Sequence, residues 1–415
     1  MVREEQIRSQ VAVGQELEVL LADPLTGYLL PVSPQILADP RNNDPNGGTY
    51  SVKEAVREQI ELVSNVSWSI GQLESDMRRR IIATQEIAND YGAIFVPGSV
   101  IGPLSVTRMP RAGGRLQTYD DLFQNSDETD RMIKVSGLHT HVSRIPGREK
   151  DQYNLMLALD SLFAFASTTP VDDLGNNTLN CSRVNRVRYD FGNRGDKSLL
   201  DAMLPHYINS SDELDQRDIT RHESWKQQII DTGGDIDFFL DKFESNNTGY
   251  HSVRSRPHLP PHGTYESRAP DSTPLDTQLG IAAVYLGINR QLEKGIPLTI
   301  SKKNNDYHFS DVGISLPTQE TLYEFEQHAI HSGLASANVA NYLRSVINLA
   351  EGGLDLNDRK YLAPLREMLD GRPNYANDIM DFLRTDHGYN GQLVTSDMGA
   401  SVNLMMADKF KQSYQ

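Results

Sequence analysis

"GQELEVLL", Gly14 to Leu21, alternates like a strand yet sets two carboxylates inside a segment that otherwise reads as buried. Along Val11 to Leu21, Gly14, Glu16 and Glu18 fall on one face; Val11, Val13, Leu17, Val19 and Leu21 fall on the other. Carboxylates avoid burial unless something pairs with them. Their partners must come from elsewhere in the chain.

Two further β segments repeat the spacing. His139 and His141 in "GLHTHVS" share one side, as do Glu266 and Arg268 in "GTYESRAPD". Were these three faces a single face, carboxylates and a histidine would converge. That is how a site for a hard divalent cation is made, oxygen ligands first and imidazole tolerated. A bound cation would neutralise Glu16 and Glu18. Arginine suits phosphate oxygens through its planar fork of donors. Metal, arginine and a polyanion together are what phosphoryl transfer uses, a reaction catalysed mainly by positioning and charge neutralisation. Each pair alone has a plainer reading, as a solvated strand face, exposed imidazoles or a surface salt bridge. Three coincident same-face pairs shift the balance toward a site. Arg183, Arg186 and Arg188 in "SRVNRVR" fit either a solvated strand face or contacts to phosphate or carboxylate.

Outward from these segments the pattern is mixed. Ile60, Val63, Val66, Ile70 and Leu73 predict a helical stretch from Val52 to Tyr91, broken near "NVSWS". "AIFVPGS" reads as a short strand and turn. "DQYNLMLALDSLFAFAS" reads as an apolar helix, and "NCSRVNRVRYDF" as short strand or loop. Residues 190–250 are polar, carry a capping box at Ser210 and Glu213, and read as an insertion or lid. From Thr318 onward helical spacing dominates, with an irregular Gly-rich tail "HGYNGQLVTSDMGAS". The expected fold class is α+β: a mainly antiparallel sheet core over residues 1–300, with a mostly helical region over 301–415 packed on it.

Bulk properties exclude several functions. The 415 residues are 38% hydrophobic and 23% charged, which predicts a packed globular protein. A formal net charge of −16 argues against a nucleic-acid binder and against attachment to anionic membranes. One cysteine, Cys181, rules out an internal disulfide or a multi-thiolate zinc site, and reads as a packed residue. The opening "MVREEQIRSQ" is charged, so a cytoplasmic protein is expected. No GxxxxGK[ST] loop, GxGxxG fingerprint or HExxH motif is present, so a nucleotide would bind on the sheet through metal and arginine.

At these same residues the chain resembles the glutamate–cysteine ligase type 2, or carboxylate–amine ligase, family. "GQELEVLLADPLTGYLLP" is similar to the family's G-x-E-x-E strand and following turn, and "GLHTHV" to its Gly-x-His-x-His segment. "TTPVDD…NCSRVNR" is similar to its Ser-Pro…Ser-x-Arg stretch, and "RPHLPPHGTYESRAPDS" to its R-P-x-P…G-T-x-E-x-R-x-x-D signature. The resemblance implies a glutamine-synthetase-like, guanidino-kinase-related fold, whose curved sheet forms a funnel for ATP and magnesium. It also implies the reaction: ATP phosphorylates a carboxylate, and an amine attacks the acyl phosphate to give an amide. Carried over by position, Glu16, Glu18, Glu61, His139 and Glu266 are implied metal ligands. Arg268 and Glu266 are the implied catalytic pair, and Arg183, Arg256 and Arg268 the implied contacts to ATP or substrate. Partners would be amino-acid-like carboxylates and amines, with a homo-oligomer allowed. One departure stands out. Where the family has E-L-V-x-x-x-x-E, this chain has "ELVSNVSW", retaining Glu61 but placing Trp68 at the second glutamate. That leaves two alternatives to glutamate–cysteine-like ligation: a phosphotransferase or nucleotidyltransferase on the same sheet, or a nucleotide-binding partner protein without turnover.

Overall fold

The computed structural model describes residues 10–109, 113–123, 126–177, 179–190, 203–245, 248–249 and 251–415. Seven strands form the main sheet: β1 (Val13–Ala22), β2 (Ser51–Lys53), β3 (Gln59–Val63), β4 (Ile94–Val96), β5 (Leu138–Ser143), β6 (Val253–Arg256) and β7 (Thr264–Ser267). Their order is β2-β3-β1-β5-β7-β6, every pairing is antiparallel, and β4 pairs with the far end of β1 at Leu20–Ala22. The first half of the chain also contributes helices α1 (Ser33–Ala38), α2 (Ile70–Asp90), α3 (Gly113–Phe123), α4 (Ser126–Met132), α5 (Glu149–Ala158) and α6 (Ser182–Asn185). After these come α7 (Ser211–Thr232), α8 (Ile236–Lys242) and α9 (Leu275–Glu293). A small sheet of β8 (Leu298–Ile300), β9 (His308–Ser310) and β10 (Gly313–Leu316) precedes α10 (Gln319–Ser332), α11 (Ala337–Gly353), α12 (Ala363–Leu369), α13 (Tyr375–His387) and α14 (Ser396–Tyr414). The fold is therefore a helix–sheet mixture around an antiparallel sheet, as expected.

Alternation along β1 decides which face is which. Leu17, Val19 and Leu21 point into the main core, and Gln15 on that same face donates to the Gln278 carbonyl of α9 at 2.9 Å. Helix α9 is buried along nearly its whole length, because the sheet covers one side and the C-terminal helices the other. It meets α11 at a glycine crossing: a Cβ on Gly353 would lie 1.9 Å from the Gly287 carbonyl oxygen. Small residues there let two backbones touch. With one sheet face sealed by α9, the face bearing Glu16 and Glu18 is left for the site.

Three local expectations change. Residues 51–63 form β2 and β3 rather than a helix, because "QIELV" pairs with Glu16–Leu20 of β1 and buries Ile60 and Leu62. Tertiary pairing overrides the three-residue spacing, and the helix starts only after Ser69, whose hydroxyl accepts from the Gln72 amide. "SRVNRVRYD" is helical, with a π-turn over Arg186–Asp190, not a strand. The C-terminal segment is irregular only as far as Thr395, whose side chain caps α14 by accepting from the Met398 amide. At α7, Ser210 accepts from the Glu213 amide as the capping box requires, while the Glu213 carboxylate reaches back one residue further, to the Asn209 amide. Residues 191–202 of the expected insertion lie outside the described residues; α7 and α8 pack on α3 and α4 through a second core of Leu122, Met132, Trp225, Ile229, Phe239 and Phe243. Among the described residues no helix is long and apolar enough to cross a membrane.

Candidate metal and phosphate site

Strand register carries the polar pairs into one field. Glu16 sits opposite His139, Gly14 opposite His141, and His141 in turn opposite Glu266. On the other flank Glu18 lies directly across from Glu61. Beyond Glu266, Arg254 occupies the facing position on β6, two residues before Arg256. Read across the sheet, this face runs from carboxylates on β3 and β1, through imidazoles on β5, to guanidinium groups at β7 and β6.

The partners of the first strand's acids are now explicit. His139 Nδ1 lies 3.1 Å from Glu16 and His141 Nε2 lies 3.2 Å from it. Glu18 accepts from the Gly137 amide at 2.5 Å, and His139 Nε2 approaches it at 3.6 Å. Burial alone would raise Glu16, but hydrogen bonds and charge from both imidazoles hold it below the usual carboxylate range. His139 is pushed down by its burial and by the Arg268 charge, against the pull of Glu16. Glu266 is fully buried in an ion pair with Arg268 and lies 3.1 Å from Arg256 Nε. Burial would raise it too, yet the Arg268 and Arg254 charges keep it low. Arg254 itself is pushed down to about 10 by burial and by Arg268.

Not every acid is satisfied. Glu61 is raised well above the usual range by burial and then by neighbouring carboxylates, Glu54 first. Glu54, just after β2, is raised in the same way, by burial and by Glu18 and Glu16. Three overlapping sets bring their donor atoms within 4.8 Å of one another: Glu16, Glu61 and His139; Glu16, His141 and Glu266; Glu18, Glu54 and Glu61. His139 Nε2 is sealed from solvent without a hydrogen-bond partner, while His141 Nε2 and Glu266 Oε2 have only the ionic contacts to Glu16 and Arg256. Oxygen-rich donor sets with orphaned ligand atoms fit a hard divalent cation.

Glu16, Glu18, Glu61, His139, Glu266 and Arg256 lie on these paired strands, with Arg268 directly after β7. Arg183 belongs to α6, not to the sheet, and its guanidinium donates to the Ala269 carbonyl at 3.0 Å. Gly137 makes that approach possible: a Cβ there would lie 2.4 Å from Arg183 Nη2 and 3.2 Å from His139 Nε2. Its neighbours in "SRVNRVR" are committed elsewhere, Arg186 to buried Asp173 and Arg188 to Asp160 and Glu326. Trp68 is set apart. It is 43% exposed, its backbone is held by Gln72 and Arg290, and it does not line the cleft above the acids. The carboxylate that completes the cluster is Glu54, seven residues before Glu61 and missed in the sequence. Its signal was an acid just past the strand paired with Glu61: Val52 opposes Glu61, and Glu54 comes two residues later. Also missed in the sequence were Gln59, bonded to Val135, Ser136 and Glu18, and Arg254.

Residues 12–165 match the model of glutamate-cysteine ligase family 2 (GCS2). Two curated relatives bear the name "Putative glutamate--cysteine ligase 2". The one from Gloeobacter violaceus is 25% identical over 135 residues, covering 32% of this chain and 36% of that protein. The one from Corynebacterium jeikeium is 26% identical over 144 residues, covering 34% and 35%. The chain thus matches little more than a third of these relatives' length. Among solved structures, a bifunctional glutathione synthetase from Pasteurella multocida aligns at TM-score 0.55 and 12% identity, over 97% of this chain and 52% of that one. A glutamate–cysteine ligase from Francisella tularensis, in complex with AMP, aligns at 0.52 and 11%, over 97% and 93%. At that identity the likeness is one of fold.

Proposed function

We propose that this chain, which resembles glutamate–cysteine ligase family 2 in sequence, is an ATP- and magnesium-dependent carboxylate–amine ligase acting through an acyl phosphate. The observation that carries the reading is the polarity of the open sheet face, with seven carboxylate and imidazole side chains able to ligate a cation beside three arginines. Glu16, Glu18, Glu54, Glu61, His139, His141 and Glu266 would hold the cations, which when bound neutralise the nucleotide phosphates. Funnel-like closure of the sheet, a catalytic unit over 1–300 and a cytoplasmic location belong to the same reading.

The chain's own groups divide the work. Arg268, braced by Glu266, offers its fork to the transferring phosphoryl group where charge builds. Arg256 lies on the other oxygen of Glu266, and the Arg268 and Arg254 charges keep that carboxylate ionised. Arg183, fixed by backbone carbonyls and spared other carboxylate pairing closer than 3.8 Å, is placed to hold a substrate carboxylate or phosphate. The test supplies ATP, Mg²⁺ and a broad carboxylate panel, with hydroxylamine as a small nucleophile. Hydroxamate and ADP forming together support an acyl phosphate. AMP release instead would assign nucleotidyl transfer, and no nucleotide turnover with any carboxylate would sink the ligase reading.

A further inference from the structure

The cleft over the acids holds about 640 Å³ and is not uniformly polar. Besides Glu18, Glu54 and Glu61 it is lined by apolar side chains from five segments of the chain: Ala55, Leu116 and Tyr119 of α3, Ile133, Val187 and Phe238 of α8. Leu116 and Ile133 are buried with Val56, and Ala55 packs against that cluster, so this wall begins one residue from Glu54. Tyr119 stands edge-on to Trp225 and Phe243, with ring centroids 5.8 and 6.1 Å apart, which anchors the wall to the second core. Ala55, Tyr119, Val187 and Phe238 are only half-buried, so they offer apolar surface to the cleft. At its rim, Lys242 stands one helical turn after Phe238, and its ammonium group lies 6.0 Å from the centre of that ring.

Position separates two occupants. A nucleotide with its phosphates at the acids carries its base beyond the ribose and the phosphate chain. A substrate whose carboxyl or amine reacts at the acids carries its own substituent within a bond or two. Apolar surface starting beside Glu54 suits the second. Burying an aromatic group there is worth roughly 1.5–3 kcal/mol, about ten- to a hundredfold in affinity. A small polar amino acid leaves that wall wet.

Resting on the ligase reading above, we infer that the chain takes a substrate with a bulky apolar or aromatic group close to its reacting carboxyl or amine, in place of a pair of small polar amino acids. The test is calorimetry on the full chain with Mg²⁺ and ADP present. Phenylacetate and 3-phenylpropionate form the carboxylate arm, phenethylamine the amine arm, and L-glutamate and L-cysteine the polar comparison. One aromatic arm should bind at least tenfold tighter than its polar counterpart, and so identify which substrate occupies the wall. Phe238→Asp, at a half-buried position, should weaken that binding about tenfold, Phe238→Leu should restore most of it, and ADP affinity should move less than twofold in both. Glutamate or cysteine binding as tightly as the aromatics overturns the inference, as does a Phe238→Asp defect confined to ADP. Aromatic binding without hydroxamate or ADP formation upholds the wall and refutes the ligase reading instead, so the two can fail separately.

Discussion

Replacing Glu54 with glutamine removes one ionisable group from a set that holds Glu18 and Glu61 within 4.8 Å, while keeping the side chain's length. Two unit charges at that separation repel by about 3.5 kcal/mol at an effective dielectric of 20. Burial and the Glu18 and Glu16 charges raise Glu54, and Glu61 is raised likewise, so retained protons avoid much of this repulsion. The sign follows from linkage. A carboxyl raised in the folded state favours the fold below its unfolded value, and that advantage disappears as pH climbs through the folded one. The relief in Glu54→Gln is therefore about 1 kcal/mol near neutrality and grows with rising pH. In EDTA, thermal unfolding should place the variant at or above the parent by roughly 1–3 °C. Magnesium at about a hundred times its dissociation constant should stabilise the parent by about 2.7 kcal/mol. The variant should recover less than half of that. A variant that melts below the parent in EDTA yet keeps the whole magnesium gain would show Glu54 to be a structural hydrogen-bonding group and refute the cation argument.

Other substitutions probe other parts of the face. Arg268→Lys keeps charge but loses the planar fork; ADP formation should fall about a hundredfold or more, with nucleotide affinity changed far less, and near-parental turnover would remove Arg268 from the phosphoryl contact. Trp68→Glu restores the acid expected from the family pattern, yet its exposed position off the cleft predicts magnesium affinity within about twofold of the parent by calorimetry. A clear gain in affinity would mean that the segment after β3 reaches the cluster. The Cys181 thiol is pushed up to about 12 by burial and by Asp271 beside it, so a thiol reagent at mildly alkaline pH should label it only on unfolding; labelling of the native protein would contradict its packing.

The polar half of the site was legible because strands advertise it. Period-two pairs such as Glu16 and Glu18, or His139 and His141, tell which side chains share a side before any partner is known. What the sequence could not give was register, which decides that Glu18 meets Glu61 and Glu266 meets Arg254. Glu54 was lost for a physical reason: β2 is only three residues long, too short to show alternation, and the spacing of Ile60, Val63 and Val66 along and beyond β3 imitated a helix. Arg186 and Arg188 were ambiguous because a basic run looks the same whether solvated or paired. Only the fold supplies the buried partners Asp173, Asp160 and Glu326. Trp68 misled for the opposite reason, as a pattern position whose backbone turns out to leave the sheet.

Charge order on the open face is also an argument against a purely structural role. A sheet selected for stability alone sets opposite charges across from each other, since like charges in register cost energy. Here Glu18 faces Glu61, and Glu54 crowds both from the next strand. Arginines gather on the far side of the imidazoles around Glu266, where they surround one carboxylate with more positive charge than it can neutralise. Moving a single arginine onto β2 or β3 would relieve both imbalances, and the fold does not do so. Under the proposed ligase reading, the two halves suit a ligand that brings cations to one side and anionic oxygens to the other, as a magnesium-bound polyphosphate does.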